Sequence, residues 1–121
     1  MATFQKFEEI KVWQKAREVT KKIYQISSGE KFSRDYGLRD QIRRDSVSIM
    51  SNIAEGNGRK TNKDFANFLV LSHGSAAEVQ SHLYVALDLN YISKDDFSIL
   101  YQQLEEISKM TMALAQHLLK N

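Results

Sequence analysis

The 121-residue sequence contains no cysteine, which excludes a disulfide framework, a thiolate metal site and a cysteine nucleophile. It contains no proline and only five glycines, too few turn-forming residues for a loop-rich all-β fold. Long apolar runs are also missing. The longest charge-free run, Phe65 to Ala77, is shorter and more polar than the roughly 20 residues of a membrane span. The opening stretch, Met1 to Ile10, carries Lys6, Glu8 and Glu9 and lacks an apolar signal core. Neither sign of charge dominates: 17 Lys and Arg against 15 Asp and Glu leave +2, too little by itself to imply a polyanionic partner. Hydrophobic residues at 42% and charged residues at 26% are ordinary globular usage and argue against wholesale disorder. The expectation is one helical domain over residues 1–121, cytoplasmic, with no membrane association.

Hydrophobic periodicity supplies four helical segments, about 8–27, 35–57, 61–90 and 93–120. In the first, Val12, Ala16, Val19, Ile23 and Ile26 recur at alternating spacings of four and three, the pattern of a buried helical stripe. Trp13 and Tyr24 widen it, and Gly29 is expected to close the helix in the left-handed conformation. Leu38, Ile42, Ile49 and Ile53 form the second stripe, with Ser46 in the missing step and Gly56-Asn57-Gly58 as the stop. Thr61 followed by Asp64, and Ser93 followed by Asp96, read as helix-start capping patterns. Phe65, Leu69, Ser72, Ala76, Val79, Leu83 and Ala86 form the third stripe. Phe97, Leu100, Leu104, Ile107, Thr111, Leu114 and Leu118 form the fourth. Long amphipathic helices joined by short links imply an antiparallel up-down-up-down four-helix bundle.

Gly74-Ser75 interrupts the third segment in mid-helix, where glycine costs about 1 kcal/mol relative to alanine. With Ser46, Ser48 and Ser51 available as small facing residues, the plainer reading is a tight crossing within the chain. A subunit interface at that level is the alternative.

No catalytic or metal constellation emerges. His73, His82 and His117 do not pair at a spacing of three or four, as a two-histidine zinc face on one helix requires. Glu78 and His82 are one turn apart but do not make the repeated Glu-x-x-His step of di-iron bundles. The expectation is no enzyme activity, no metal and no cofactor.

Charge is informative once divided. Residues 1–63 hold 14 Lys and Arg against 8 acids, and residues 64–121 hold 3 against 7. Either the halves neutralise each other, within or between chains, or the basic half faces a polyanion. The candidate nucleic-acid-binding residues are Arg39, Arg43 and Arg44 on the second segment and Arg59, Lys60 and Lys63 around its exit. Arginine suits bidentate phosphate contact, and a helix start adds free backbone N–H groups. Asp40, Asp45, Glu55 and Asp64 stand close enough in sequence to offset them. No aromatic residues interleave the basic ones, so single-strand base stacking is not signalled, and contact is expected with backbone and shape.

Phe7 through Ala16, with Val12-Trp13-Gln14-Lys15-Ala16, resembles the opening of the four-helix proteins encoded in intervening sequences of bacterial 23S rRNA genes. The resemblance continues through Tyr36-Gly37-Leu38, Gln41-Ile42-Arg43-Arg44, Ser51-Asn52-Ile53-Ala54-Glu55-Gly56, Phe65, Phe68-Leu69, Gly74-Ser75, Glu78 and Leu89-Asn90-Tyr91-Ile92. Two departures are a non-proline residue, Ser33 or a neighbour, before Tyr-Gly-Leu and Asp45 where a small apolar residue is usual. The resemblance implies a ring-like homopentamer without a catalytic site, related to retroelement accessory proteins that contact nucleic acid and a reverse transcriptase. Trp13, Asn52, Glu55, Gly56, Gly74, Ser75 and Glu78 are read as structural motif positions, with Asn52 and Glu55 holding Arg43, Arg44 or the following turn. The expected partners are a second copy of the chain and RNA or DNA, structured RNA favoured. The alternative is a homopentameric scaffold that docks another protein.

Overall fold

A computed structural model describes residues 6–120; residues 1–5 of the opening stretch, and Asn121, lie outside the described residues. All regular structure among them is helical. A 3-10 turn, Phe7–Glu9, leads into α1, Lys11–Ile26, followed by a short α2, Glu30–Arg34. Three long helices complete the chain: α3, Tyr36–Asn57; α4, Asn62–Asp88; and α5, Lys94–Lys120.

Local chemistry fixes the helix starts. Asp35 Oδ1 accepts the Leu38 N–H at 3.2 Å, Thr61 Oγ1 the Asp64 N–H at 3.1 Å, and Ser93 Oγ the Asp96 N–H at 3.0 Å. Each bond satisfies a donor that a helix start leaves unpaired. Asp35 also accepts the Tyr91 hydroxyl at 3.0 Å, tying the start of α3 to the α4–α5 link. That bond, with partial burial and the nearby carboxylate, raises the Tyr91 pKa. Asn90 takes a positive φ of 59° in this link, a conformation asparagine tolerates better than most residues.

The apolar stripes meet in one core. Ala16, Ile23, Ile42, Ile49, Ile53, Leu69, Leu83, Leu104 and Ile107 are completely buried. Each large aliphatic side chain contributes about 1.5–3 kcal/mol by leaving water, more than an exposed ion pair at roughly 0–1 kcal/mol. Helix α4 packs on α3 and α5, and α1 on the same two. From one end of the α3–α4 contact to the other, Gly56 lies against Phe65 and Phe68, the Ile49 carbonyl accepts the Ser72 hydroxyl, Ser48 meets Ser75, and Asp45 approaches His82.

Several expectations need correction. The first turn of the first segment is 3-10, with extended Ile10 between it and α1. Gly29 is not left-handed: its φ of −61° and ψ of 158° make it the N-cap of α2, while Ser27 ends α1. The short helix itself went unread because five residues are too few to show a period. Ser33 contributes its N–H to the Gly29 carbonyl there at 2.8 Å, a donor that proline lacks. The third segment ends at Asp88, two residues short of its expected end. Gly74 does not make the tight intrachain crossing, because it is exposed and a Cβ built there meets nothing within 4 Å. Ser72 and Ser75 are the small residues that face α3.

Candidate nucleic-acid interface

Helix α3 carries the arginines because its periodicity turns Ile42, Ile49 and Ile53 inward and leaves the intervening positions to polar side chains. Three of the six predicted basic residues are engaged within the chain. Arg39 donates from Nε to Asp40 at 2.9 Å and from Nη1 to the Ser33 carbonyl at 3.0 Å, with its guanidinium 4.9 Å from the centre of the Tyr36 ring. Arg43 closes the end of α1. It donates to Ser27 Oγ at 2.8 Å, Ser28 Oγ at 3.1 Å and the Tyr24 carbonyl at 3.4 Å, and lies 4.7 Å from the Tyr24 ring centre. A cation at the carbonyl end of a helix also meets the negative end of its dipole. Arg59 pairs with Glu55 at 3.0 Å and lies 4.7 Å from the Phe68 ring centre.

The other three, Arg44, Lys60 and Lys63, are exposed and have no ion-pair or hydrogen-bond partner among the described residues. They do not form one tight cluster. Arg44 stands 13 residues before the end of α3, about 20 Å along the axis at 1.5 Å per residue, whereas Lys60 and Lys63 flank the start of α4. The Thr61 cap uses the Asp64 N–H at this start, leaving those of Asn62 and Lys63 outside it.

The acids expected to offset the arginines divide likewise. Asp40 and Glu55 do so, against Arg39 and Arg59. Asp45 does not: it is buried at the α3–α4 contact, held by Gln41 at 3.2 Å and 3.2 Å from His82. Among the described residues, one ion pair joins a cation of residues 1–63 to an acid of residues 64–121, Lys15 with Glu106 at 3.0 Å. Intrachain neutralisation therefore absorbs little of the basic excess.

Asn52 donates to the Ser48 carbonyl and hydroxyl one turn back, and does not reach Arg43 or Arg44. Glu55 does hold the following turn, through Arg59. Trp13 is buried against Phe7, ring centres 5.0 Å apart. Gly56 permits a close helix approach: a Cβ there would stand 2.8 Å from Phe68 Cβ and 2.9 Å from a Phe65 ring carbon. The Glu78 pKa is raised, mainly by the Asp45 charge and by a hydrogen bond with that carboxyl.

Sequence reasoning missed the aromatic partners of Arg39, Arg43 and Arg59. Tyr24 and Phe68 come from other helices, and only the Tyr36–Arg39 spacing of three carried a local signal. It also missed the Asp45–His82 approach, whose partners lie 37 positions apart.

No helix among the described residues is long and apolar enough to cross a membrane, and no group of three or more His, Asp and Glu there is placed to hold a metal ion. Residues 8–113 match the family described as 23S rRNA-intervening sequence protein. A solved structure of a protein of unknown function from the S23 ribosomal protein family, from Bacteroides thetaiotaomicron, aligns with a TM-score of 0.79 at 24% identity. The alignment covers 87% of this chain and 98% of the other, a likeness of fold. No curated protein matches the sequence.

Proposed function

The chain belongs to the 23S rRNA-intervening sequence protein family, and from that premise we propose that it is a non-enzymatic, homo-oligomeric protein that binds structured RNA through its phosphates. The carrying observation is that three of the six candidate cations, Arg44, Lys60 and Lys63, have no partner among the described residues, in a basic half whose lysines and arginines make one ion pair there with the acidic half. The family's link to 23S rRNA favours RNA over DNA. In this reading Arg39, Arg43 and Arg59 hold the surface in shape, and their alkyl and planar groups are already spent on Tyr36, Tyr24 and Phe68.

Assembly would bring the separated cations of one copy near those of the next. The helices form one antiparallel four-helix domain, a reading supported by the order of the α3–α4 contacts and by the short links. Val70, Leu71, Gly74 and Ala77 leave an exposed, uncharged strip on α4. That strip supports a ring of copies, five by family resemblance. It equally supports the second reading, a scaffold whose α4 face docks another protein.

Fluorescence anisotropy with an RNA hairpin and with duplex DNA, at about 50 and 200 mM salt, separates the two readings. Counterion release from several phosphate contacts lowers affinity by orders of magnitude over that range. The expected result is salt-sensitive binding, tighter for RNA, that is abolished by combined Arg44→Glu, Lys60→Glu and Lys63→Glu with oligomeric mass unchanged. No binding at the lower salt overturns the nucleic-acid reading and leaves the scaffold.

A further inference from the structure

Three aromatic residues are exposed among the described residues: Tyr24, Tyr36 and Tyr84. Two of these rings carry a guanidinium of this chain, Arg43 over Tyr24 at 4.7 Å and Arg39 over Tyr36 at 4.9 Å. The less exposed Trp13 and Phe68 are covered in the same way, by Arg17 and Arg59. Tyr84, 49% exposed, has no such partner among the described residues. It belongs instead to a cluster on the α4–α5 seam. Its ring centre lies 4.8 Å from that of Phe97 and 5.8 Å from that of Tyr101, and those two lie 5.5 Å apart. Rings this close fill the space between them, so they offer a face and not a cage. The rim of that face is acidic. Asp88 follows Tyr84 by one turn of α4, and Glu105 follows Tyr101 by one turn of α5, the spacing at which helical side chains are neighbours. Glu105 is held toward α4 by Gln80, whose amide donates to it at 3.0 Å and to the Tyr101 carbonyl at 3.4 Å. The Asp88 side chain has no hydrogen bond or ion pair among the described residues. From Tyr84 to Glu105 the chain holds four acids, Asp88, Asp95, Asp96 and Glu105, against one base, Lys94.

We propose that the Tyr84–Phe97–Tyr101 cluster seats an arginine-bearing segment of a partner protein. A guanidinium lying on an aromatic face is attracted by the ring quadrupole, and its planar fork matches a carboxylate through two parallel bonds. Tyr84 supplies the open face, with Phe97 and Tyr101 packed behind it, and Asp88 and Glu105 supply the carboxylates at its edge. The chain makes this pairing four times within itself, each time with arginine and never with lysine. A flat face suits a planar cation better than the compact ammonium of lysine. The acids that favour a guanidinium also repel phosphate, so this face is distinct from the cations assigned to RNA. The inference therefore stands whether or not Arg44, Lys60 and Lys63 bind RNA.

The test is an NMR titration of the full chain with a peptide of alternating arginine and glycine, beside a lysine version and a citrulline version. Citrulline keeps the shape of arginine without its charge. The arginine peptide is expected to move the backbone signals of Tyr84, Asp88, Phe97, Tyr101 and Glu105, and to bind more tightly than the lysine peptide. The citrulline peptide should leave those signals in place. Tyr84→Ala should weaken binding of the arginine peptide about three- to fivefold, the size of an exposed cation–π contact. Tyr84→Phe keeps a ring and should bind like wild type. Because Tyr84 is exposed, its replacement leaves the core intact, and a thermal midpoint checks this. Asp88→Asn combined with Glu105→Gln tests the rim without touching a ring, and should weaken binding and reduce its salt dependence. No movement of the cluster signals, equal binding of the arginine and citrulline peptides, or binding indifferent to both Tyr84→Ala and the rim variant would overturn the seat. So would a lowered oligomeric mass in Tyr84→Ala, which gives the cluster to a second copy, or weakened hairpin RNA binding, which gives it to nucleobases.

Discussion

Gly56 stands in the last turn of α3 and Gly74 in the middle of α4, where an interior glycine gives up about 1 kcal/mol of helix propensity relative to alanine. Their surroundings differ completely. Around Gly56 the missing Cβ is the space that Phe65 and Phe68 occupy, with Phe68 Cβ 2.8 Å from where a methyl group would sit. Around Gly74 there is nothing within 4 Å. The first glycine is required by a contact within the chain, so its propensity cost is offset by the close approach of α3 to α4. The second has no such compensation within one copy. In the assembly proposed above, its use would lie outside the single chain, beside the exposed Val70 and Leu71.

The sharpest way to break this comparison is Gly56→Ala. Phe68 Cβ is fixed to its own backbone and the Phe65 carbonyl lies 3.3 Å away, so relief requires moving a helix. Overpacking of this kind costs about 1–3 kcal/mol, and the upper end is expected because backbone stands in the way. Urea unfolding measures it, and a variant as stable as wild type would show that the α3–α4 crossing is looser than described.

The adjacent arginines Arg43 and Arg44 repeat the contrast on a smaller scale. Arg43 has three polar contacts and an aromatic face at the end of α1, whereas Arg44 has none. Arg43→Ala strands the half-buried end of α1 and should lower stability by about 2 kcal/mol, in the range of a bond to a charged group. Arg44→Ala should stay within about 0.5 kcal/mol, as surface substitutions usually do. In RNA binding the order should reverse, because only Arg44 offers an unengaged cation. If Arg44→Ala destabilised the fold as much as Arg43→Ala, the division between holding and binding residues would fail.

These pairs mark where the sequence is legible. The four long stripes are visible because their periods repeat over many turns, and the Thr61 and Ser93 caps because they need only a spacing of three. Arg43 and Arg44 are indistinguishable by type, and what separates them is Ser27, Ser28 and Tyr24, fifteen to nineteen positions away. Asp45 reads as one more surface acid beside arginines until α4 is folded against it. Gly56 reads as part of a helix stop and Gly74 as a mid-helix close approach, and the sequence does not reveal that the close approach within the chain belongs to Gly56. Local rules therefore specified the elements and their inward faces. The candidate site depends on contacts between elements, which no window of a few residues contains.

Gly74→Ala is the smallest effect expected and the one that sharpens the comparison furthest. With open space around the new methyl group and ordinary helical backbone, alanine should stabilise the isolated chain by about 0.5–1 kcal/mol through helix propensity alone. If the exposed strip of α4 packs against a second copy, the same methyl group stands in that contact. Association should then weaken while the monomer gains stability, and the larger Gly74→Leu should weaken it further. Urea unfolding and sedimentation across a concentration series read the two effects separately. A gain in monomer stability with unchanged mass would leave Gly74 without a role in assembly, and the strip as a face for some other partner. A loss of monomer stability would mean that the space around Gly74 is filled within the chain, and that the contrast with Gly56 does not hold.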